Sequence, residues 1–236
     1  MSKQGNLYLI PSLLGDIEPL EVLPMRIRKI IDTTDHFIVE NEKSARAFIK
    51  KVHPGKSQPS LNLYVLNKYT EVTEFSRFLE PCRQGVSVGI ISEAGAPCIA
   101  DPGADIVSIA HKENIPVVPL TGPSSILLAL MASGMNGQNF AFNGYLPVDT
   151  YGRKKAIRKL EAAARRGTTQ IFMETPYRNS KMMEDLVAAA DDPTLLCVAT
   201  DITLPTEFIK TKTIAQWRKA LPDLHKRPCI FILGKA

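Results

Sequence analysis

Several residue patterns are missing from this 236-residue sequence, and each absence excludes a class of protein. No apolar run approaches the ~18 to 20 residues needed to span a bilayer, and the N-terminus lacks the apolar core of a signal peptide. We therefore expect a protein that does not enter the membrane and works in the cytoplasm. Its hydrophobic content of 44% is sufficient for one large or two small cores.

Cysteine and histidine are scarce, with four residues of each type. The cysteines form no CxxC pair, and no two histidines have the spacing of metal ligands. The sequence therefore predicts neither a disulfide framework nor a metal site. The cysteines are expected to be reduced, buried small residues.

Phosphate-binding glycine motifs are also missing. There is no GxxxxGK[ST], and the glycines do not form GxGxxG, so neither a P-loop nor a dinucleotide fingerprint is predicted. The net charge of +5 is compatible with a nucleic acid or another anionic substrate. Many enzymes of small metabolites are equally basic, so charge alone leaves both classes open.

The first half of the chain alternates short β-branched strands with helical patterns, including helices predicted over 20–33 and 71–82. This alternation is typical of a parallel sheet. In the second half, two strands are separated only by a short turn region at 204–206, which favours antiparallel pairing. The predicted fold class is α/β, with a mostly parallel domain over 1–119 and a mixed-sheet domain over 120–236.

The 92–103 loop follows a predicted strand and is rich in small residues and prolines. Ligands of open parallel sheets bind beyond the carboxyl ends of strands, so this loop is a candidate site, although an ordinary connection is the alternative. Asp101 is expected to bond its own loop. The loops 11–16 and 119–125 also follow strands, and we expect all three to converge around a neutral or zwitterionic nucleotide-like ligand.

Glu40 and Glu42 follow a predicted strand, where they suit acid–base chemistry or substrate binding. Solvated charges at a helix start are the alternative. Residues 151–166 form a basic helix that places Lys154 and Arg158 one turn apart, a stripe that can track an RNA backbone or simply face solvent. Tyr177 and Arg178 follow another strand, as a stacking and phosphate-binding pair would.

Taken in order, four segments resemble the tetrapyrrole methylase superfamily of S-adenosylmethionine-dependent methyltransferases. Within it they are most similar to the branch that 2′-O-methylates a cytidine of small-subunit ribosomal RNA. The segments are 7–16, similar to a strand and PxPxGN-type loop; 92–103, similar to SDAGTPxxSDPG; 121–147, similar to PGPSA…SG…FxGFLP; and 173–178, similar to YESPHR.

The resemblance implies two α/β domains with the methyl donor in the cleft between them, and a homodimer. It places these residues at the S-adenosylmethionine site: Pro11, Gly95, Ala96, Ile99, Ala100, Ser124, Ser125, Met173 and Cys229. Glu40 is the predicted catalytic base. The predicted substrate contacts, with ribosomal RNA or a ribosomal subunit as partner, are Glu42, Arg46, Tyr177, Arg178, Lys154 and Arg158.

Three departures from the branch pattern fall on the substrate side. Residues 40–43 read ENEK where the branch has EDTR, and residues 66–71 read LNKYTE where it has a His/Asn-rich segment. Residues 200–204 read TDITL where it has a RELTK stretch. Three hypotheses follow: an RNA methyltransferase, a methylase of a small metabolite such as a tetrapyrrole, and an interaction protein that binds S-adenosylmethionine without catalysis.

Overall fold

The computed structural model describes residues 4–67 and 69–235, so the prediction about the N-terminal segment lies partly outside it. Contacts divide the chain into two compact units, one up to Ser124 and the other from Ser125. The predicted α/β class, with one parallel and one mixed sheet, is confirmed. The domain boundary at 119/120 stays a prediction. None of the helices within the described ranges has the length and apolar composition needed to cross a bilayer.

The first unit is a parallel sheet with the strand order β3-β2-β4-β1-β5. Its strands are β1 (Leu7–Ile10), β2 (His36–Val39), β3 (Asn62–Val65), β4 (Val88–Ile91) and β5 (Val117–Pro119). Its helices are α1 (Met25–Thr33), α2 (Glu42–Val52), α3 (Val72–Phe75), α4 (Glu80–Arg83) and α5 (Gly103–Lys112), with short 3-10 turns at Pro19–Glu21 and Ser76–Leu79.

Two of the predicted helices are wrong in extent, and proline explains both differences. The helix predicted over 20–33 begins only at Met25, because Pro24 before it is extended and cannot continue a helix from residue 23. The helix predicted over 71–82 is three short pieces, α3, a 3-10 turn and α4. Pro81 lies in the first turn of α4, where it has no N–H to bond the preceding turn.

Alternate residues of the parallel strands enter two apolar cores on opposite faces of the sheet. Phe37 and Ile91 pack on one face, and Ile38 and Ile90 pack on the other. Burial on both faces explains the continuous β-branched runs in the sequence. It also leaves the loops at the strand ends as the places where this unit can present polar groups.

The second unit is a mixed sheet with the order β6-β7-β10-β8-β9. Its strands are β6 (Phe140–Tyr145), β7 (Thr169–Glu174), β8 (Leu195–Thr200), β9 (Phe208–Thr213) and β10 (Cys229–Gly234), and its helices are α6 (Ser125–Ser133), α7 (Thr150–Arg165), α8 (Asn179–Ala189) and α9 (Ile214–Lys219). Among the described strands of this sheet, only β6 and β7 pair in parallel. The predicted antiparallel pairing of β8 with β9 is confirmed.

Candidate functional site

Three loops of the first unit meet beyond the carboxyl ends of β1, β4 and β5. The amide of Ser12 donates to the carbonyl oxygen of Gly95 across 2.9 Å, and the buried hydroxyl of Ser92 donates to the same oxygen across 2.6 Å. The expected convergence of these loops is confirmed within this unit. Parallel strands bring it about, because their carboxyl ends lie at one edge of the sheet.

Two glycines allow the three backbones to approach each other. Gly95 has φ +74°, and a Cβ there would lie 2.9 Å from Cδ2 of Leu14 and 3.2 Å from the carbonyl oxygen of Pro123. A Cβ on Gly122 would lie 2.4 Å from Cβ of Pro11. A side chain at Gly122 would clash with the Pro11 ring, and a side chain at Gly95 would be strained by the positive φ and would crowd Leu14 and the Pro123 carbonyl.

Asp101 holds the far end of the 92–103 loop. Its carboxylate accepts hydrogen bonds from the amides of Cys98 and Gly103, each at 2.8 Å, which confirms the prediction that it bonds its own loop. Cys98 and Ala100 have φ values of 66° and 62°, in the left-handed region that non-glycine residues rarely enter. Such strain is typical of backbone shaped to present its polar groups to a ligand.

The predicted cofactor residues of the first unit lie on these loops. Ser124 lies beside Gly95 and Pro11 lies beside Gly122. Ala96, Ile99 and Ala100 follow Gly95 in the chain, and 53% of Ile99 is exposed. The three loops contain no lysine, arginine or histidine, so they offer no cationic side chain to a polyphosphate. A ligand held here is bound by backbone groups, small side chains and apolar contact.

The remaining predicted cofactor residues belong to the second unit. Met173 lies near the end of β7 and Cys229 begins β10, the neighbouring strand, where Met173 is paired with Ile230. Burial raises the pKa of the Cys229 thiol well above its ordinary value, so the thiol stays protonated. Ser125 is the first residue of α6. All three stay predicted contacts.

Glu40, the predicted base, lies directly after β2 and close to the 92–103 loop. One of its carboxylate oxygens accepts a hydrogen bond from the amide of Glu93 at 3.3 Å. Partial burial raises the pKa of Glu40, and the nearby carboxylates of Asp101 and Glu93 raise it further, against the effect of that hydrogen bond. A carboxylate whose pKa is raised accepts a proton more readily than one in water.

A cavity of about 310 Å³ opens between the 11–16 loop, α2 and the start of the 92–103 loop. Inside it, the hydroxyl of Ser44 donates to a carboxylate oxygen of Glu93 at 2.6 Å. Lys51 of α2 forms an ion pair with Asp16 at one side. The sequence-based reasoning missed Ser44, Lys51 and Glu93, although Ser44, Phe48 and Lys51 have the i, i+4, i+7 spacing of one helix face.

The predicted substrate residues Glu42 and Arg46 lie one turn apart on α2 and form an ion pair at 3.9 Å. The guanidinium of Arg46 also donates to the carbonyl oxygen of Gln58 at 2.8 Å. Arg46 therefore connects α2 to the segment before β3, and its role toward a substrate stays a prediction.

The basic helix predicted over 151–166 is α7. Ile157 and Leu160 are buried, whereas four cations of the helix form an exposed stripe, which consists of Lys154, Lys155, Arg158 and Lys159. Within the described ranges, these four side chains have no hydrogen-bond or ion-pair partner. Their charge is therefore not neutralised by the chain around them.

Tyr177 and Arg178 lie beyond the end of β7. The guanidinium of Arg178 bonds the buried carboxylate of Glu174 at 2.6 Å, and 75% of Tyr177 is exposed. Burial alone would raise the pKa of Glu174, but hydrogen bonds from Arg178 and from the amide of Thr175 outweigh it and hold that pKa below its ordinary value. An ionised Glu174 thus fixes the cation beside an exposed aromatic ring.

Comparison with known proteins gives concordant results. The profile of the Tetrapyrrole (Corrin/Porphyrin) Methylases matches residues 6–217. The chain is 26% identical over 235 residues to the ribosomal RNA small subunit methyltransferase I of Escherichia coli O157:H7, covering 98% of this chain and 78% of that protein. For the protein of the same name from Haemophilus influenzae, identity is 29% over 217 residues, covering 92% and 73%.

Solved structures agree at the level of the fold. The methyltransferase CobJ superposes with a TM-score of 0.65 and 18% identity, covering 98% of this chain and 95% of that one.

Proposed function

The chain belongs to the tetrapyrrole (corrin/porphyrin) methylase family, and from that premise we propose that it methylates small-subunit ribosomal RNA with S-adenosylmethionine as donor. The proposed acceptor is a ribose hydroxyl. The observation that carries this proposal is the unpaired cationic stripe on α7, in a chain whose relatives are named ribosomal RNA methyltransferases. Ribosomal RNA as substrate would place the protein in the cytoplasm.

The converging loops of the first unit fit S-adenosylmethionine. That molecule has an adenine ring, ribose hydroxyls and an amino-acid group, but no phosphate, and the three loops offer backbone groups without any cation. Its sulfonium is positive, and the nearby carboxylates Glu40, Glu93 and Asp101 favour a cation. When bound, it supplies a methyl group that an oxygen nucleophile can attack in line.

The residues of this chain then have to orient the acceptor hydroxyl and remove its proton. Glu40 is the proposed base, because it is partly buried, its pKa is raised and it lies beside the 92–103 loop. Glu42, Tyr177, Arg178, Lys154 and Arg158 are the proposed contacts to RNA, with Arg46 supporting α2. Stacking on Tyr177 and pairing of phosphates with lysine and arginine are sequence-tolerant interactions.

Glu40→Gln provides a test of the base. We expect the single-turnover rate of methyl transfer to fall by about 10² to 10⁴, the usual contribution of a general base. The wild-type rate should rise with pH through the raised pKa of Glu40, and the variant should lose that rise. A carboxyl whose pKa is raised by folding stabilises the protein as pH falls and opposes folding as pH rises. At pH 7 the Glu40→Gln variant should therefore need at least as much urea to unfold as the wild-type protein does. A variant with the wild-type rate and pH profile would remove Glu40 as the base.

We also propose that the protein acts as a homodimer through α6. On this helix, 78% of Met131 and 51% of Leu127 are exposed one turn apart, and exposed apolar residues in that arrangement favour a protein interface. Met131→Asp should raise the dimer dissociation constant at least about tenfold in sedimentation velocity, because dimer formation would then bury the aspartate charge in the interface. Leu20→Asp, at a residue of the first unit that is 62% exposed, is the matched control. Equal effects of the two variants would argue against α6.

The function itself is tested with methyl-labelled S-adenosylmethionine. The protein is incubated with small ribosomal subunits, with their purified RNA, and with a total metabolite extract. We expect label in the RNA of the first or second sample and none in the third. Label confined to metabolites would support a small-molecule methylase instead. If the donor binds in calorimetry but no sample is labelled, the chain is a binding protein without this activity.

A further inference from the structure

A buried ionic cluster of the second unit adjoins the turn that carries Tyr177 and Arg178. Its members are Arg153 of α7, Glu174 at the end of β7 and Asp185 of α8, and each is at most 4% exposed. None of the three is a predicted donor or substrate contact. Ionisable side chains are seldom buried to this degree unless they are paired, so the partners of each member indicate its role.

The position of Arg153 is unfavourable for a cation. Arg153 is the fourth residue of α7, where the positive end of the helix dipole disfavours positive charge. One nitrogen, Nη2, donates to the carbonyl oxygen of Val148. Across residues 4–67 and 69–235, Nε and Nη1 find no hydrogen-bond partner. A well-packed apolar side chain is often at least as stabilising as a buried charge, so the stability of the fold does not account for a cation here.

Two buried carboxylates share the charge of Arg153. Oδ2 of Asp185 lies 3.4 Å from Nη1 of Arg153, whereas Oδ1 of Asp185 lies 3.1 Å from Nζ of Lys181, an exposed cation. Because Lys181 already balances Asp185, the charge of Arg153 is available to Glu174.

The side chain of Glu174 is completely buried. Its Oε1 accepts hydrogen bonds from the amide of Thr175 and from Arg178, both at 2.6 Å, and Oε2 has no partner in the part of the chain that the structure describes. Burial raises the pKa of Glu174, and the charge of Arg153 acts with the hydrogen bonds from Arg178 and Thr175 to lower it. Arg153 therefore helps to keep this carboxylate ionised in the core.

Glu174 holds the turn after β7 through Arg178. The amide of Arg178 donates to the carbonyl oxygen of Thr175 at 2.9 Å, which closes a turn with Tyr177 inside it. The side chain of Arg178 closes the same turn a second time, through its ion pair with Glu174. A protonated Glu174 would lose its electrostatic attraction to the guanidinium, so this second closure depends on the ionised carboxylate.

We propose that Arg153 is a positioning residue for RNA: its buried charge balances Glu174, and Glu174 in turn holds Arg178 and the exposed ring of Tyr177 in place. Arg153 is itself too deeply buried to contact RNA. The inference rests on the proposed function, since Tyr177 and Arg178 are RNA contacts only if the substrate is RNA.

Carbon-13 NMR of protein labelled at the glutamate carboxyl groups tests the first step without any substrate. Glu174→Gln removes one signal and so identifies it. Arg153→Met should raise the pKa of Glu174 above that in the wild-type protein, because burial is then opposed by less positive charge. Arg153→Lys keeps a cation and should leave the pKa of Glu174 lowered.

A double variant separates positioning from folding. Arg153→Met alone deprives Asp185 of one partner, so Arg153→Met with Asp185→Leu is measured beside it. Replacement of a whole buried ion pair by apolar residues of similar size is often neutral or stabilising. The double variant should need as much urea to unfold as the wild-type protein does, and should still raise the pKa of Glu174. Failure of the double variant to fold would show that the ion pair serves the fold itself and would overturn the inference.

Filter binding of small-subunit RNA tests the second step. The double variant should lose affinity at least about fivefold, the effect of one lost stacking contact. Where Tyr177 and Arg178 are already alanine, the same two changes should alter the affinity less than about twofold. The matched control is Arg218→Met, which should keep the wild-type affinity. Arg218 bonds the carbonyl oxygens of Val187 and Ala190, at the opposite end of α8 from the turn.

An unchanged pKa of Glu174 in both Arg153→Met variants overturns the inference. So does wild-type RNA affinity in the double variant, or an equal loss of affinity in the alanine background. Absence of RNA labelling by the wild-type protein would instead count against the proposed function. The two failures are distinguishable, because the NMR titration uses no substrate.

Discussion

Alanine in place of Gly95 should abolish measurable binding of S-adenosylmethionine. The left-handed backbone at φ +74° costs a side chain about 1 to 2 kcal/mol, and the new Cβ would lie 2.9 Å from Leu14 and 3.2 Å from the oxygen of Pro123. Leu14 can rotate away, but relief of the backbone strain and of the contact with the Pro123 carbonyl shifts the 92–103 loop relative to its neighbours. That movement also disturbs the bonds that Ser12 and Ser92 make to the Gly95 carbonyl.

Two measurements follow for this variant. Calorimetry should detect no donor binding, and urea unfolding should show a loss of about 1 to 3 kcal/mol. Gly137→Ala is the control, because nothing lies within 4 Å of a Cβ at that glycine. Wild-type affinity in Gly95→Ala would show that the donor is not held by this loop.

Reversing the four cations on α7 should abolish retention of ribosomal RNA. Each contact with a phosphate adds about 0.7 to 0.9 to the slope of affinity against salt concentration, both on logarithmic scales. The variant in which Lys154, Lys155, Arg158 and Lys159 become glutamate should therefore lose about three units of that slope. At low salt its affinity should fall at least about a hundredfold.

A control variant with the same net charge separates a local from a global effect. It reverses Arg26, Lys29, Lys112 and Lys219, which are exposed on other helices of the chain. Filter binding at several salt concentrations should show nearly the full wild-type slope for this control. If both variants lose the same slope, α7 is not the RNA-binding surface.

The fold was predictable where periodicity and turn chemistry agree. Burial of β2 and β4 on both faces follows from their continuous apolar runs. The loops after β1, β4 and β5 had to meet because the carboxyl ends of parallel strands lie at one edge of the sheet. The first helix was predicted to begin at residue 20 but begins at Met25, and Pro24 in the sequence indicated the later start. The exact division of residues 72–83 into α and 3-10 pieces depends on packing that periodicity does not describe.

The site was less predictable because its contacts join distant residues. Ser44 and Glu93 are 49 positions apart, and nothing local in either segment indicates their hydrogen bond. Arg153 is another case. It belongs to the basic run of α7, yet it is buried and paired with Asp185 of α8 at 3.4 Å. A count of charges does not tell which cations face the core and which, like the four of the stripe, are exposed.

The most direct test of the account is the chemical identity of the methylated product. Small-subunit RNA labelled by the protein is digested to nucleosides and separated by mass spectrometry. The account predicts the label in a single 2′-O-methylated nucleoside. Label on a base carbon or nitrogen, or no label in RNA while S-adenosylmethionine still binds, would contradict it.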